Sequence, residues 1–177
     1  MRQQLLSPEF HLNLEHGGVK AIGKRKMARP FSSKASLHLV LRSSQAVGEF
    51  SFLRKENSKW ISNLLKRQSK KHGIIIYEFG NSGNHLHLLI RAHKKKMFNS
   101  FLKVFTSAIA MKWTGGKKTN PSPKFWDHLP WTRIVAWGKA YWTAKKYVIQ
   151  NRLEGLGVIP YQPRKRKFVP IVSGPPS

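Results

Sequence analysis

The chain contains no cysteine, and its only carboxylates are Glu9, Glu15, Glu49, Glu56, Glu78, Asp127 and Glu154. Without thiols there are no disulfides, thiolate zinc sites or cysteine nucleophiles. The shortage of acids counts against a nuclease built on three clustered carboxylates around two metal ions, which would consume nearly half the supply. Paired-carboxylate acid–base chemistry is disfavoured on the same ground. No apolar run approaches about 18 residues and no signal peptide is evident, so a soluble cytoplasmic protein without membrane contact is expected.

Against the seven acids stand 33 Lys and Arg, a net charge of +26 over 177 residues. That excess points to a polyanionic partner. The chain is nonetheless 40% hydrophobic, with 6 Trp and 10 Phe, so it can bury a core of one domain's size. Residues 1–34 read as a loosely ordered basic arm containing Lys20, Lys24, Arg25, Lys26 and Arg29 and ending near Pro30. Residues 162–177 form a basic, Pro-rich tail carrying Arg164, Lys165, Arg166 and Lys167. The domain proper is expected over residues 35–161.

Within it, Ser36 to Arg42 alternates, with Leu37, Leu39 and Leu41 on one face, as a half-buried strand does. Residues 52–71 place Phe52, Trp60, Ile61, Leu64 and Leu65 at helical spacing, stopped by Gly73. Residues 74–79 and 85–91 read as strands of a hairpin about Gly80–Asn84. A second helix is predicted over 95–113, a short strand over 131–137 and a third helix over 139–153. The order β-α-β-β-α-β is the split βαβ, or ferredoxin-like, arrangement of the α+β class, here with an extra C-terminal helix. Its usual strand order puts the first and third strands side by side, covers one face with two helices and leaves the other face open.

His85 and His87 flank one leucine on the third of these strands, so both imidazoles point to the open face while Leu86 and Leu88 point to the core. Two imidazoles so placed can ligate one metal ion. Such a pair arises by chance roughly 0.14 times per chain of this composition, and for a random pair an ordinary hydrogen-bonded sheet role is the commoner explanation. His38 should share that face from the neighbouring strand. On the last helix Tyr147 and Asn151 are four apart and lie one above the other. A phenol and a carboxamide stacked in this way can share a metal–phosphate site; an interfacial Tyr beside a capping Asn is the plainer alternative.

Taken together, Asn84-His-Leu-His-Leu-Leu-Ile90 and, some sixty residues on, Tyr147-Val-Ile-Gln-Asn151 resemble the HUH single-tyrosine transposases, and within them the REP-associated tyrosine transposases most. The resemblance spans about residues 30–161 and implies a ferredoxin-like core. It departs from the family pattern at Ser82-Gly83, where Met-Pro is usual before the Asn-His, and at Arg152, where Pro is usual. It implies Tyr147 as the nucleophile, with His85, His87 and Asn151 as ligands of a divalent ion, Mg²⁺ or Mn²⁺.

The implied reaction is metal-dependent cleavage and rejoining of single-stranded or hairpin DNA through a 5′-phosphotyrosine, in a nucleoid-associated protein of prokaryotic type. A phenol of pKa about 10 needs help to ionise at neutral pH, and the charges of Lys145, Lys146 and Arg152 should favour the phenolate. Candidate DNA contacts are His38, Arg42, Lys145, Lys146, Arg152 and the tail residues Arg164, Lys165, Arg166 and Lys167. Beyond residue 93 lie 17 Lys and Arg against two acids, and Trp126, Trp131, Trp137 and Trp142 are interleaved with them, so one or two exposed tryptophans are expected to stack on unpaired bases. Monomer and homodimer both remain open. The competing readings are a ferredoxin-like nucleic-acid-binding module without catalysis and an HUH replication initiator or relaxase.

Overall fold

The computed structural model describes residues 14–23, 27–115 and 124–163. Its elements are strand β1 (Glu15–His16), β2 (Ser36–Arg42), helix α1 (Lys55–Lys71), β3 (Ile74–Asn81), β4 (His85–Ala92), α2 (Lys95–Thr114), β5 (Trp131–Val135) and α3 (Lys139–Gly155). The sheet order is β1-β5-β2-β4-β3, with every pairing antiparallel. The split βαβ is therefore present, with β2 and β4 adjacent at the centre.

Alternation along the strands builds the core. Leu37, Leu39, Leu41, Leu86, Leu88 and Ile90 are all buried on one face, where α1 supplies Ile61, Leu64 and Leu65 and α2 supplies Phe98, Phe101, Phe105 and Ile109. The apolar stripes of both helices repeat every three to four residues and so face the sheet. Phe52 is fully buried but precedes α1, which begins three residues later than its apolar pattern predicts. Phe52 is held instead by backbone pairing of its N–H with the Gly83 carbonyl at 2.7 Å and of its carbonyl with Asn81 Nδ2 at 2.7 Å.

Among the described residues of the N-terminal arm, a short stretch joins the sheet. Glu15 and His16 pair with Arg133 and Thr132 and extend the sheet beyond β5. Arg29 reinforces this edge by donating to the Pro130 carbonyl at 2.8 Å and to Thr132 Oγ1 at 2.6 Å. A two-residue strand carries no periodicity, which is why the sequence pattern does not reveal it. The tail residues Arg164, Lys165, Arg166 and Lys167, and the arm residues Lys24, Arg25 and Lys26, lie outside the described residues.

Candidate functional site

The sheet face opposite the main core is only partly open, because α3 packs across it against β3, β4 and β5. Two glycines allow the close approach. A Cβ at Gly80 would meet the Val148 carbonyl oxygen at 2.7 Å, and one at Gly155 would meet Ser82 Cα at 2.7 Å. Gly155 is the last residue of α3 and meets the chain at the end of β3. Val148 is fully buried in this interface.

Polar ties fix the rotation of α3. The Ser82 hydroxyl donates to the Asn151 carbonyl at 2.9 Å, and Arg152 Nη1 donates to Glu78 Oε1 at 2.9 Å. A register shift in β3 between Ile76 and Glu78 explains how Glu78 comes to be there. The extra residue in this bulge lets Tyr77 meet Trp137 and Tyr141 while the adjacent Glu78 also reaches α3. Ser82 and Arg152, the two departures from the family pattern, therefore both anchor the tyrosine helix.

The consequence is a cluster of rings. Tyr147 meets His87 edge-on, with ring centroids 5.6 Å apart, and His38 at 5.8 Å. His85 and His87 are 5.0 Å apart, and His38 and His87 are stacked at 5.6 Å. Trp131 closes the far side of His38 at 5.3 Å. His87 is 2% exposed and His38 6%, whereas Tyr147 and His85 are half-buried, so the cluster has a buried floor and an accessible rim. Burial, aided by the Arg133 charge, pushes His38 down to about 4; burial and then Arg42 also lower His85. Both rings are accordingly neutral at pH 7, the form in which an imidazole offers a lone pair.

The donor chemistry fits a divalent ion. His85 Nδ1 is hydrogen-bonded to Asn84 Oδ1, an acceptor that holds the proton on Nδ1 and leaves the lone pair on Nε2, as outer partners of metal-ligating histidines do. His87 Nδ1 faces His38 Nε2 at 3.4 Å. Asn151 is 8% exposed, and its Nδ2 donates to the Tyr147 carbonyl at 2.7 Å, so Oδ1 is its remaining donor atom. Among the described residues no group of three His, Cys, Asp or Glu could hold an ion; two imidazoles would need the carboxamide, and phosphate or water, to complete a shell.

The expected DNA contacts divide. Arg42 is exposed and pairs with Asp127 at 3.4 Å, Lys146 is exposed, and Lys145 Nζ lies 5.5 Å from the Trp142 ring centre. Arg152 is engaged by Glu78, and His38 is buried behind His87, where it touches the site and not the surface. Of the tryptophans, Trp137 is 45% and Trp142 57% exposed, while Trp126 packs against the core.

Compared with solved structures, the chain is similar to a REP-associated tyrosine transposase solved bound to a REP hairpin. The TM-score is 0.52 and the identity 14%, over 74% of this chain and 74% of that one. The chain has that fold. It is also similar to a candidate transposase from Deinococcus radiodurans R1, with a TM-score of 0.43 and 16% identity, over 72% of this chain and 98% of that one; this likeness is too loose to carry an argument. No protein-family model matches the sequence, and no curated protein matches it.

Neither Gly80, Ser82 nor Glu78 was singled out by spacing or residue type. Each acts by holding α3 against the sheet.

Proposed function

We propose that this chain is a metal-dependent transposase that cleaves and rejoins single-stranded DNA, with Tyr147 as the nucleophile. The observation that carries the reading is the contact of the Tyr147 ring with His87 across the α3–sheet interface, which joins the two halves of a motif sixty residues apart. The shared fold with a REP-associated tyrosine transposase supports it and favours a hairpin with a single-stranded flank as the DNA.

In this reading Tyr147 Oη attacks a backbone phosphorus and the bond to the 3′ oxygen breaks. The phenol proton passes to solvent, the leaving oxygen takes a proton, and the products are a 5′-phosphotyrosine and a free 3′-OH. His85 Nε2, a His87 ring nitrogen and Asn151 Oδ1 would hold Mg²⁺ or Mn²⁺, which when bound polarises the scissile phosphate and offsets developing charge. The chain's own part is to fix Tyr147 beside the phosphate: Ser82 and Glu78 set the helix, and Val148 against Gly80 sets its depth. The linkage keeps the energy of a phosphodiester, so attack by another 3′-OH rejoins strands without a nucleotide cofactor.

The test is incubation with labelled hairpin DNA taken from beside the gene, plus Mn²⁺, followed by denaturing electrophoresis. A protein–DNA adduct is expected, lost in Tyr147→Phe. An adduct that persists in that variant removes Tyr147 as nucleophile. Tight binding with no adduct on any such DNA leaves a ferredoxin-like binding protein.

A further inference from the structure

Outside the ring cluster, the structure carries an aromatic ledge on the N-terminal half of α3. Tyr77, Trp137, Tyr141 and Trp142 run in one chain of contacts, with successive ring centroids 5.4, 4.9 and 5.4 Å apart. Trp137 is fixed by its indole N–H, which donates to the Lys34 carbonyl at 2.6 Å. It leaves part of its ring in solvent, and Trp142 leaves more than half. Two large indoles held exposed within six residues are unfavourable unless something covers them.

Charge indicates what does. Lys139 and Lys146 are exposed beside the ledge, Lys145 sits over the Trp142 ring, and the sequence has no carboxylate between Asp127 and Glu154. An aromatic plane bordered by cations, whose one nearby acid, Glu78, is paired with Arg152, suits a ligand with flat rings on a polyanionic backbone. A protein surface or a second copy of this strongly basic chain lacks that complementarity. Helical geometry sets Trp142 about 7.5 Å along the axis from Tyr147 and about 140° round from it, so a strand reaches both only by wrapping over the N-terminal half of α3.

We infer that Trp142, backed by Tyr141 and Trp137, is a stacking platform for unpaired bases of the strand that enters the Tyr147 site, with Lys145 moving from the indole face to a backbone phosphate. The inference rests on the proposed function for the strand's destination, but its test does not depend on cleavage. In the Tyr147→Phe background, titrating an oligo-dT strand should quench tryptophan fluorescence. Trp142→Ala should weaken that binding about tenfold, Trp142→Phe should restore most of it, and duplex affinity should be unchanged. Because Trp142 is exposed, the variants are expected to unfold at the wild-type midpoint.

Equal oligo-dT affinity in Trp142→Ala would overturn the platform. So would an equal loss for duplex and single strand, or self-association of the wild type that disappears in the variant. If oligo-dT binding behaves as expected yet no chain forms an adduct, the platform stands and the catalytic reading falls. An adduct from wild type with no effect of Trp142→Ala on affinity gives the reverse.

Discussion

The two faces of the sheet are made by alternate residues of the same strands, yet they hold together in different ways. On the main core face, Leu37, Leu39, Leu88 and Ile90 meet Ile61, Phe98, Phe101 and Phe105, all fully buried. Their attraction is non-directional and spread over many atoms. On the other face, His38, His87, Glu78 and Gly80 meet α3, where Val148 and Asn151 are the buried residues among those described. There the geometry depends on single atoms: one hydroxyl, one carboxylate and one absent Cβ. The first face should carry stability and the second chemistry.

The sharpest way to break that division is to compare one large deletion on each face. Phe101→Ala should lower unfolding free energy by about 3–5 kcal/mol, while adduct formed per folded molecule stays near wild type. His87→Ala should reduce adduct formation at least about a hundredfold and leave non-specific DNA binding largely intact. Its stability loss should be clearly smaller than that of Phe101→Ala. Urea midpoints and adduct yields of the two variants settle it, and equal stability losses would end the distinction. Gly80→Ala sharpens the same point. Its Cβ cannot sit 2.7 Å from the Val148 carbonyl, so α3 must move, with an expected stability loss of about 1–3 kcal/mol. Adduct yield should fall tenfold or more in proportion to the lost Tyr147–His87 contact, roughly the effect of a 1 Å misplacement. Normal adduct yield from Gly80→Ala would mean that the helix depth does not matter.

This division also decides what was legible in the sequence. The core face announces itself through period: Leu37, Leu39 and Leu41 in alternation, and Phe98, Phe101, Phe105 and Ile109 at helical spacing, which is why the strands and helices fall within a few residues of their predicted bounds. That the histidines and Tyr147 come together could be expected because these residue types recur at the spacing of a family the sequence resembles. The means of bringing them together was not legible. The bulge at Tyr77 hides inside Ile74-Ile-Ile-Tyr-Glu-Phe79, a run that looks like an unbroken strand. The value of Gly80 lies in what a Cβ would strike, and Arg152, expected to favour the phenolate and contact DNA, is instead engaged by Glu78. Long-range pairings of single atoms leave no periodic trace.

Smaller effects follow at the ties around the site. Arg152→Ala leaves Glu78, largely buried, without its cation; about 1–2 kcal/mol of stability should go with it, together with a several-fold drop in adduct. Glu78→Gln with Arg152→Ala should lose less than the sum of the two single changes. If the single changes add, the contact does not orient α3.

The finest probe is Asp127, which lies on the core side's outer edge and steadies Arg42 near the site's rim. Burial pushes its carboxyl up. The Ser44 N–H and hydroxyl, each donating at 2.8 Å, and then the charges of Arg42 and His128 outweigh burial and bring it below its ordinary 3.8. A carboxyl lowered on folding contributes stability that is fully present above its unfolded value, near 3.8, and is lost as pH falls through the lower folded value. Asp127→Asn keeps an acceptor for Ser44 and removes the charge. At pH 7 it should be less stable than wild type by about 1 kcal/mol, and the gap should narrow as pH falls below about 4, because wild type alone then forfeits the contribution. Urea midpoints at pH 7 and pH 3 measure this. A gap that does not change with pH would mean that Ser44 binds Asp127 as a neutral acceptor, and that the rim near Arg42 is held by hydrogen bonding without the help of charge.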